Sequence, residues 1–497
     1  MSDFYPPEVG PILGYRNYGD DAVSQWLFVR GKKADATQYC HVLVRERAGG
    51  FKKTVTRELG GSATDYSLLM VLDGLPLDTG FDYKVCCSQS SAPKIQYDTL
   101  KAKNCFHGSF ETRNRNDTVT SFIVGSCCHF SLLGINQADD AAFKTLREQW
   151  AAQAADDDLI LMLGDQIYGD HRIPSGLGAV LPGYRQLLLA LPIKKKEKLT
   201  PKHYLKHYRK AFTRKDKRRV MASLPVYMTF DDHEVHNDWG SKDFLNESQD
   251  YDVLSAALSA YNIYQVAHPD IVKPDTKKFR FGQELPDARY YYEFSHGKCD
   301  FFVMDTRYEK RVKQQPIQMI SPAQMRALEG FLVRGTGRVK FIASSIPMFP
   351  DASDKWLAHF FDPHPEDRWE GHLSERMHLL EYIRTHVASR NPNVFVLSGD
   401  VHCSFVSSLS HCEDDRFRLH QITSSAFNWG TGLNDMHFSK YQPLKGSDDK
   451  YLPANLSGKV VTPDNFCRVI VKTKKAEVHI IDAKSGATLR RVDLELL

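Results

Sequence analysis

Short apolar runs, each closed by glycine or a polar residue, recur along the chain from Thr120 onward. The clearest is Leu159-Ile160-Leu161-Met162-Leu163, followed at once by Gly164 and Asp165. Five apolar residues in a row read as a strand buried on both faces, the kind found inside a helix-covered sheet. Phe122-Ile123-Val124 leads into Gly125-Ser126-Cys127, and Val226-Tyr227-Met228-Thr229-Phe230 into Asp231-Asp232-His233-Glu234. Phe301-Phe302-Val303-Met304 ends in Asp305-Thr306-Arg307, and Val394-Phe395-Val396-Leu397 in Ser398-Gly399-Asp400-Val401-His402. Phe143, Leu146, Trp150 and Ala154 recur at helical spacing and predict a helix from about Asp140. Ser321-Pro322-Ala323-Gln324 carries a capping-box pattern with proline at the first helical position, ahead of a strand at Val339–Ala343. Strands alternating with helices predict an α/β fold, which binds ligands beyond the carboxyl ends of its strands.

The first stretch reads differently. From about Gly10 to Asn116, short strands such as 24–29, 40–44 and 66–71 are divided by polar turns, which predicts a β-sandwich. Leu75 to Val85 resembles the turn before the second-last strand of fibronectin type III and immunoglobulin-like domains, with Phe81 where those place a corner tyrosine. The polar run Thr112–Thr120 is the expected connection. The division is therefore an N-terminal all-β domain over 1–116 and an α/β domain over 117–497.

Composition narrows the classes. At 497 residues the chain suggests two or three domains, and 42% hydrophobic with 25% charged residues is that of a globular protein with ample core. A net charge of +4 is small for this length and gives no reason to require a nucleic-acid partner. No apolar run approaches the roughly 20 residues of a membrane span. Met1–Pro7 lacks the basic start and apolar core of a signal peptide, and adjacent Cys86-Cys87 and Cys127-Cys128 suit reduced thiols. A cytoplasmic location is the expectation.

Five strand ends bringing Cys, Asp, Tyr, His and Asn to one sheet edge outline a polynuclear metal site. Asp165, Asp400 and Asn237 offer oxygen, which suits hard ions such as Ca²⁺, Mg²⁺ or Mn²⁺. Cys127, Tyr168 and His402 offer thiolate, phenolate and imidazole, which suit a transition metal. Asp165 lies beside Tyr168 in sequence and is placed to bridge the two kinds.

Gly125-Ser126-Cys127, Gly164-Asp165-Gln166-Ile167-Tyr168, Asp231 to Asp238, Asp305-Thr306-Arg307 and Ser398 to His402, in this order, resemble the alkaline phosphatase D family, a branch of the metallophosphoesterases. Gly10-Pro11-Ile12-Leu13-Gly14 is similar to that family's N-terminal β-domain, so the resemblance spans nearly the whole chain. It implies a four-layered α/β/β/α sandwich behind a small β-sandwich. It also implies a ferric ion with calcium ions (Mn²⁺, Mg²⁺ or Zn²⁺ being the alternatives), held by Cys127, Asp165, Tyr168, Asn237, Asp400 and His402. The activity implied is hydrolysis of phosphate monoesters by a metal-activated water. A phosphodiesterase acting on phospholipid or nucleotide esters is the second reading, and a non-catalytic phosphate-ester-binding protein the third. Cys128 after the motif cysteine, Asp238 in place of an amide, and the insertion from about His171 to Tyr208 depart from the family pattern.

Three further residues carry candidate chemistry. Asp232 stands where related enzymes place a metal-binding amide, and His233 where they place a histidine near the leaving group; the alternative is an ion-paired turn. Arg307 either clamps phosphate oxygens in a bidentate fashion or pairs with a surface carboxylate. Lys194 to Arg219 holds thirteen Lys or Arg against Glu197 and Asp216. It reads either as a solvated helical face or as a basic rim that attracts a polyanionic ester.

Overall fold

The computed structural model describes residues 4–113, 119–129, 140–170, 199–240, 245, 247–312, 317–335, 337–351, 365–429 and 442–497. Most of the expected connection at Thr112–Thr120, residues 171–198 of the insertion, and Lys194–Lys196 with Lys198 lie outside the described residues.

The first part of the chain is all β. Its strands are β1 (Val9–Tyr18), β2 (Val23–Arg30), β3 (Tyr39–Glu46), β4 (Lys52–Glu58), β5 (Ser67–Leu75), β6 (Thr79–Ser88) and β7 (Phe106–Thr112). They pair antiparallel in two sheets, β1-β2-β5 and β4-β3-β6-β7. Alternate residues such as Leu13, Leu27, Val29, Val42, Val44 and Phe81 share one core between them. Phe81 packs there against Phe110, with ring centroids 5.3 Å apart. Tyr83, two positions on, is the buried tyrosine, and its hydroxyl donates to Ala222 O at 2.6 Å, outside this core.

The remaining elements are β8 (Thr120–Gly125), α1 (Ala141–Ala151), β9 (Leu159–Leu163), α2 (Pro201–Phe212), α3 (Lys215–Met221), β10 (Val226–Thr229) and α4 (Ser248–Tyr264). They continue with β11 (Tyr292–His296), β12 (Cys299–Val303), α5 (Pro322–Val333), β13 (Val339–Ala343), α6 (Leu373–Tyr382) and β14 (Val394–Ser398). Last come β15 (Phe405–His411), β16 (Asp414–Thr423), β17 (Tyr451–Asn455), β18 (Asn465–Val471), β19 (Lys475–Asp482) and β20 (Thr488–Glu495). One sheet runs β10-β9-β8-β18-β19-β20 and the other β11-β12-β13-β14-β16-β15-β17. The trio β10, β9, β8 is parallel, as is the run β12, β13, β14, β16.

The two-residue period of each strand divides its side chains between two cores. Leu159, Leu161 and Leu163 of β9 join Phe122 and Val124 of β8 and, from the second sheet, Phe301, Phe341 and Phe395. Ile160 and Met162, on the other face, pack with Phe143, Tyr204, Tyr208 and Tyr261 from helices α1, α2 and α4. Phe302, Ile342 and Val396 turn instead to Leu328, Leu379 and Leu380 of α5 and α6. The Phe122 ring lies edge-on to Phe301 and Phe341, with centroids 5.2 and 5.0 Å apart. The fold is mixed α/β with an all-β N-terminal part.

The basic run matches neither sequence expectation at Arg209, Lys217 and Arg218, while Arg219 is exposed. Arg209 Nε donates to Asp65 at 2.8 Å, and Asp65 is buried under Arg30 and the Tyr264 hydroxyl as well. Arg218 donates to Gly10 O at 2.6 Å and Pro7 O at 2.7 Å, and Arg219 to His107 O at 2.7 Å. Lys217 is buried, donates to Gln166 Oε1 at 3.1 Å and lies over the Phe143 and Phe212 rings. Arg209, Arg218 and Arg219 bind α2 and α3 to the N-terminal sheets, while Lys217 anchors α3 inward.

Candidate metal centre

Both parallel runs end at the same place. The turn after β8 carries Ser126 and Cys127, that after β9 carries Asp165 and Tyr168, and that after β10 carries Asp231 and Asp232. The second sheet contributes Arg307 after β12, Ser345 after β13, Asp400 and His402 after β14, and Ser425 after β16. Gly164, at φ +90°, permits the approach, because a Cβ there would meet the Asp231 Cβ at 2.4 Å. A Cβ on Gly399 would meet Ser126 Oγ at 2.4 Å. Cys127, Asp165, Asp400 and His402 all adopt left-handed backbone, with φ from 51° to 68°. Non-glycine residues in that region carry strain that clusters at functional sites.

The donor atoms form three overlapping groups, all of which contain Asp165. Cys127, Asp165 and His402 bring ligand atoms within 4.8 Å of one another, as do Asp165, Asp231, Asp232 and Asp400. Asp165 and Asp232 are also joined by His233 in a third such group. Tyr168 completes the first, its hydroxyl 3.3 Å from Asp165 Oδ2 and 3.3 Å from His402 Nε2. The His402 ring is stacked on Trp429, with centroids 3.7 Å apart.

Electrostatics set the terms of occupancy. Burial raises the Asp165 carboxyl well above the usual range, and the Asp232 carboxylate raises it further. Burial, then Asp231 and Asp232, raise Asp400; burial, then Asp165 and Asp400, raise the Cys127 thiol. Burial also raises the Tyr168 phenol. Asp231 Oδ2 and Asp232 Oδ1 are buried without a hydrogen-bond partner among the described residues. Repelling acids with orphaned oxygens are what a cation neutralises, so the donor set fits a metal. The chemistry also matches its parts: carboxylates for a hard ion, and thiolate, phenolate and imidazole for a transition metal.

The other predicted residues take different positions. His233 Nδ1 is 2.9 Å from Asp170 Oδ1. Burial opposes its protonation, but Asp170, Asp232 and Asp165 outweigh that and raise the imidazole well above its ordinary value. Asn237 donates its backbone N–H to Asp170 at 3.0 Å, while its side-chain amide donates to Asp238 at 2.6 Å. Asp232 stands with Asp165, Asp231 and Asp400 in the second donor group. Arg307 is neither a free bidentate clamp nor a partner of a surface carboxylate. It is buried, giving Nε to Asp231 and Nη1 to Asp367, with Trp239 O also accepting from Nη1 at 3.1 Å. Only its Nη2 is left without a hydrogen-bond partner among the described residues, 3.9 Å from Asp232 Oδ1.

Other residues that hold the centre carried weaker sequence signals. The Glu234 carboxylate accepts the backbone N–H groups of Asp165 at 2.9 Å, Gln166 at 2.6 Å and Asp231 at 2.8 Å, plus Gln265 Nε2 at 2.9 Å. It ties the β9 and β10 turns together. Gln324 breaks the expected capping box: the Ser321 hydroxyl accepts its N–H at 3.1 Å, but its own side chain pins Asp305 on both backbone groups. Ser425 follows β16, whose alternation of Arg416, Phe417, Arg418 and Leu419 hides the apolar run that marks the other site strands.

Fold and centre together define a mixed α/β protein with a buried, cation-demanding site where the parallel strands of two sheets end. The sequence pattern of PhoD-like phosphatases matches residues 122–479, and the chain belongs to that family. It is thereby placed among phosphoesterase hydrolases. The solved structure of PhoD is similar in fold, with 16% identity, a TM-score of 0.68, and coverage of 98% of this chain and 89% of that one. GAP50, the anchor in the inner membrane complex of Plasmodium, aligns over 77% of this chain and 90% of its own at 11% identity, with a TM-score of 0.35, too loose a likeness to argue from. Among curated proteins, none matches the chain. No helix among the described residues is long and apolar enough to cross a membrane.

Proposed function

We propose that the protein is a phosphomonoesterase of the alkaline phosphatase D type whose centre holds a ferric ion with calcium ions. The observation that carries this reading is the set of three donor groups that share Asp165. Cys127, Tyr168 and His402 would hold the iron, and Asp232, Asp400 and Asn237 the calcium, with Asp165 between them. Bound there, the metals supply an activated water and neutralise charge on the phosphoryl oxygens. His233, its Nδ1 lying 2.9 Å from Asp170 Oδ1, would donate a proton to the leaving oxygen. Arg307 fixes Asp231 and keeps only Nη2 for a phosphoryl oxygen.

The architectural expectations belong to the same reading. One core shared by both sheets, and two cores of helix against sheet, support the four-layered α/β/β/α arrangement. The core that the first seven strands share among themselves supports the division at 116/117, although Val9, Ile12 and Phe28 pack with the helix-side core. Ten free thiols, nine of them buried, support a reducing, cytoplasmic setting.

Chelator-treated protein should lose hydrolysis of a model monoester and regain it with Ca²⁺ plus Fe³⁺. Full activity without metal would end the metallohydrolase reading. Faster turnover of a model diester than of the monoester would reassign the protein as a phosphodiesterase.

A further inference from the structure

Two hydroxyls from different strand ends converge on the Cys127 sulfur. Ser425 donates to Sγ at 3.1 Å while its oxygen accepts the His402 backbone N–H at 3.0 Å. Ser126 lies 3.3 Å from Sγ and accepts the Asp400 backbone N–H at 3.1 Å. All three side chains are fully buried, so no bulk water competes for these bonds. Each serine therefore relays the polarisation of a backbone amide, taken from the turn that carries Asp400 and His402, to the sulfur of Cys127. The two are not equivalent. Ser126 has one hydrogen and two acceptors, Sγ and Ser424 O at 3.2 Å, whereas the Ser425 hydroxyl is directed to Sγ.

We propose that Ser425, and more weakly Ser126, tune Cys127 as a metal ligand by restraining the electron donation of its thiolate to the bound ferric ion. This rests on the metal-centre reading above. A hydrogen bond to a ligating sulfur withdraws density from the lone pairs that donate to the metal. Less donation makes the ferric state easier to reduce and raises the energy of sulfur-to-iron charge transfer. Calcium, bound through oxygen, feels none of this. The serines are thus positioning residues acting through Cys127.

The test uses the full-length, iron-loaded protein with Ser425→Ala, Ser126→Ala, Ser425→Thr and Cys127→Ser. Iron content, visible absorption and reduction potential are measured on each. Both alanine variants should keep their iron, move the absorption maximum to longer wavelength and lower the potential, with the larger shifts in Ser425→Ala. Ser425→Thr, which keeps a hydroxyl, should return both readings toward the parent. Unchanged absorption and potential in both alanine variants at full iron content would overturn the proposal while leaving the metal centre standing. If Cys127→Ser also changes nothing, the thiolate is not a ligand and the centre's assignment falls with it. Should Ser425→Ala fail to fold, Ser126→Ala gives the same readings with a smaller expected shift.

Discussion

Arg307 shows how far a single side chain can be committed before any substrate arrives. Two of its nitrogens are held by Asp231 and Asp367, and Lys310 Nζ shares the Asp367 carboxylate at 2.8 Å. Together they hold the Asp367 carboxyl well below its usual range in spite of burial. Removing one member of a buried ion pair leaves an uncompensated charge, at a cost of about 3–5 kcal/mol. Arg307→Met should therefore lower unfolding stability by that order in a urea titration, in addition to any loss of activity. A loss below about 1 kcal/mol would mean that the carboxylates find other partners. The candidate ligands were legible because each follows an apolar run or a recognisable motif. Glu234 had no assigned role for the opposite reason: three of its four donors are backbone N–H groups, and the fourth, Gln265, comes from the end of α4.

Helices α2 and α3 illustrate what spacing along an element cannot show. Their charges suggested solvent or substrate, yet the partners Asp65, Gly10 and Pro7 lie 144, 208 and 211 residues away. Strands β9 and β14 were readable because burial on both faces leaves an unbroken apolar run. A cationic helix face looks the same whether it meets water or another sheet. Asp65 is the point to probe, since Arg30, Arg209 and Tyr264 all bind it. Asp65→Ala should cost about 3 kcal/mol or more. Replacing the exposed Lys202, Lys206 and Lys215 one at a time should change stability by no more than about 0.5 kcal/mol each. Both are read from denaturant midpoints at constant slope. Equal, small effects at all four positions would remove the case for α2 as a strut between the two parts of the chain.

Across the whole molecule, several histidines are folded into places that resist protonation. Burial pushes His41 down to about 4, His268 to about 3 and His420 to about 4. His268 is held between Tyr15 of β1 and Tyr292 of β11, with both ring centroids 4.3 Å away. In the unfolded chain these imidazoles return to about 6.5 and take up protons first. Their contribution to stability is therefore complete above about pH 6.5 and is lost as pH falls toward the folded values. In chelated protein the raised Asp165 and Asp400 carboxyls act in the opposite direction, so the check is a comparison. From pH 7 to pH 4.5 the urea midpoint of His268→Phe should change toward higher values relative to the parent. An identical pH dependence in the parent and His268→Phe would show that the His268 ring is not held neutral.

The left-handed backbone at Cys127, Asp165, Asp400 and His402 implies a conflict between endurance and purpose. A sequence optimised only to survive heating would place glycine at such positions, since the strain there is of order 1–2 kcal/mol per residue. Asp400→Gly, at φ +68°, would also remove one buried, repelling carboxyl group. Without metal, this variant should melt at a higher temperature than the parent in differential scanning calorimetry. With metal restored, the order should reverse, because only the parent gains full ligand binding. Metal-starved cells would then hold a weakened form of this protein, exposed to proteolysis, so that supply of the ion would govern how long the chain lasts as well as how fast it works.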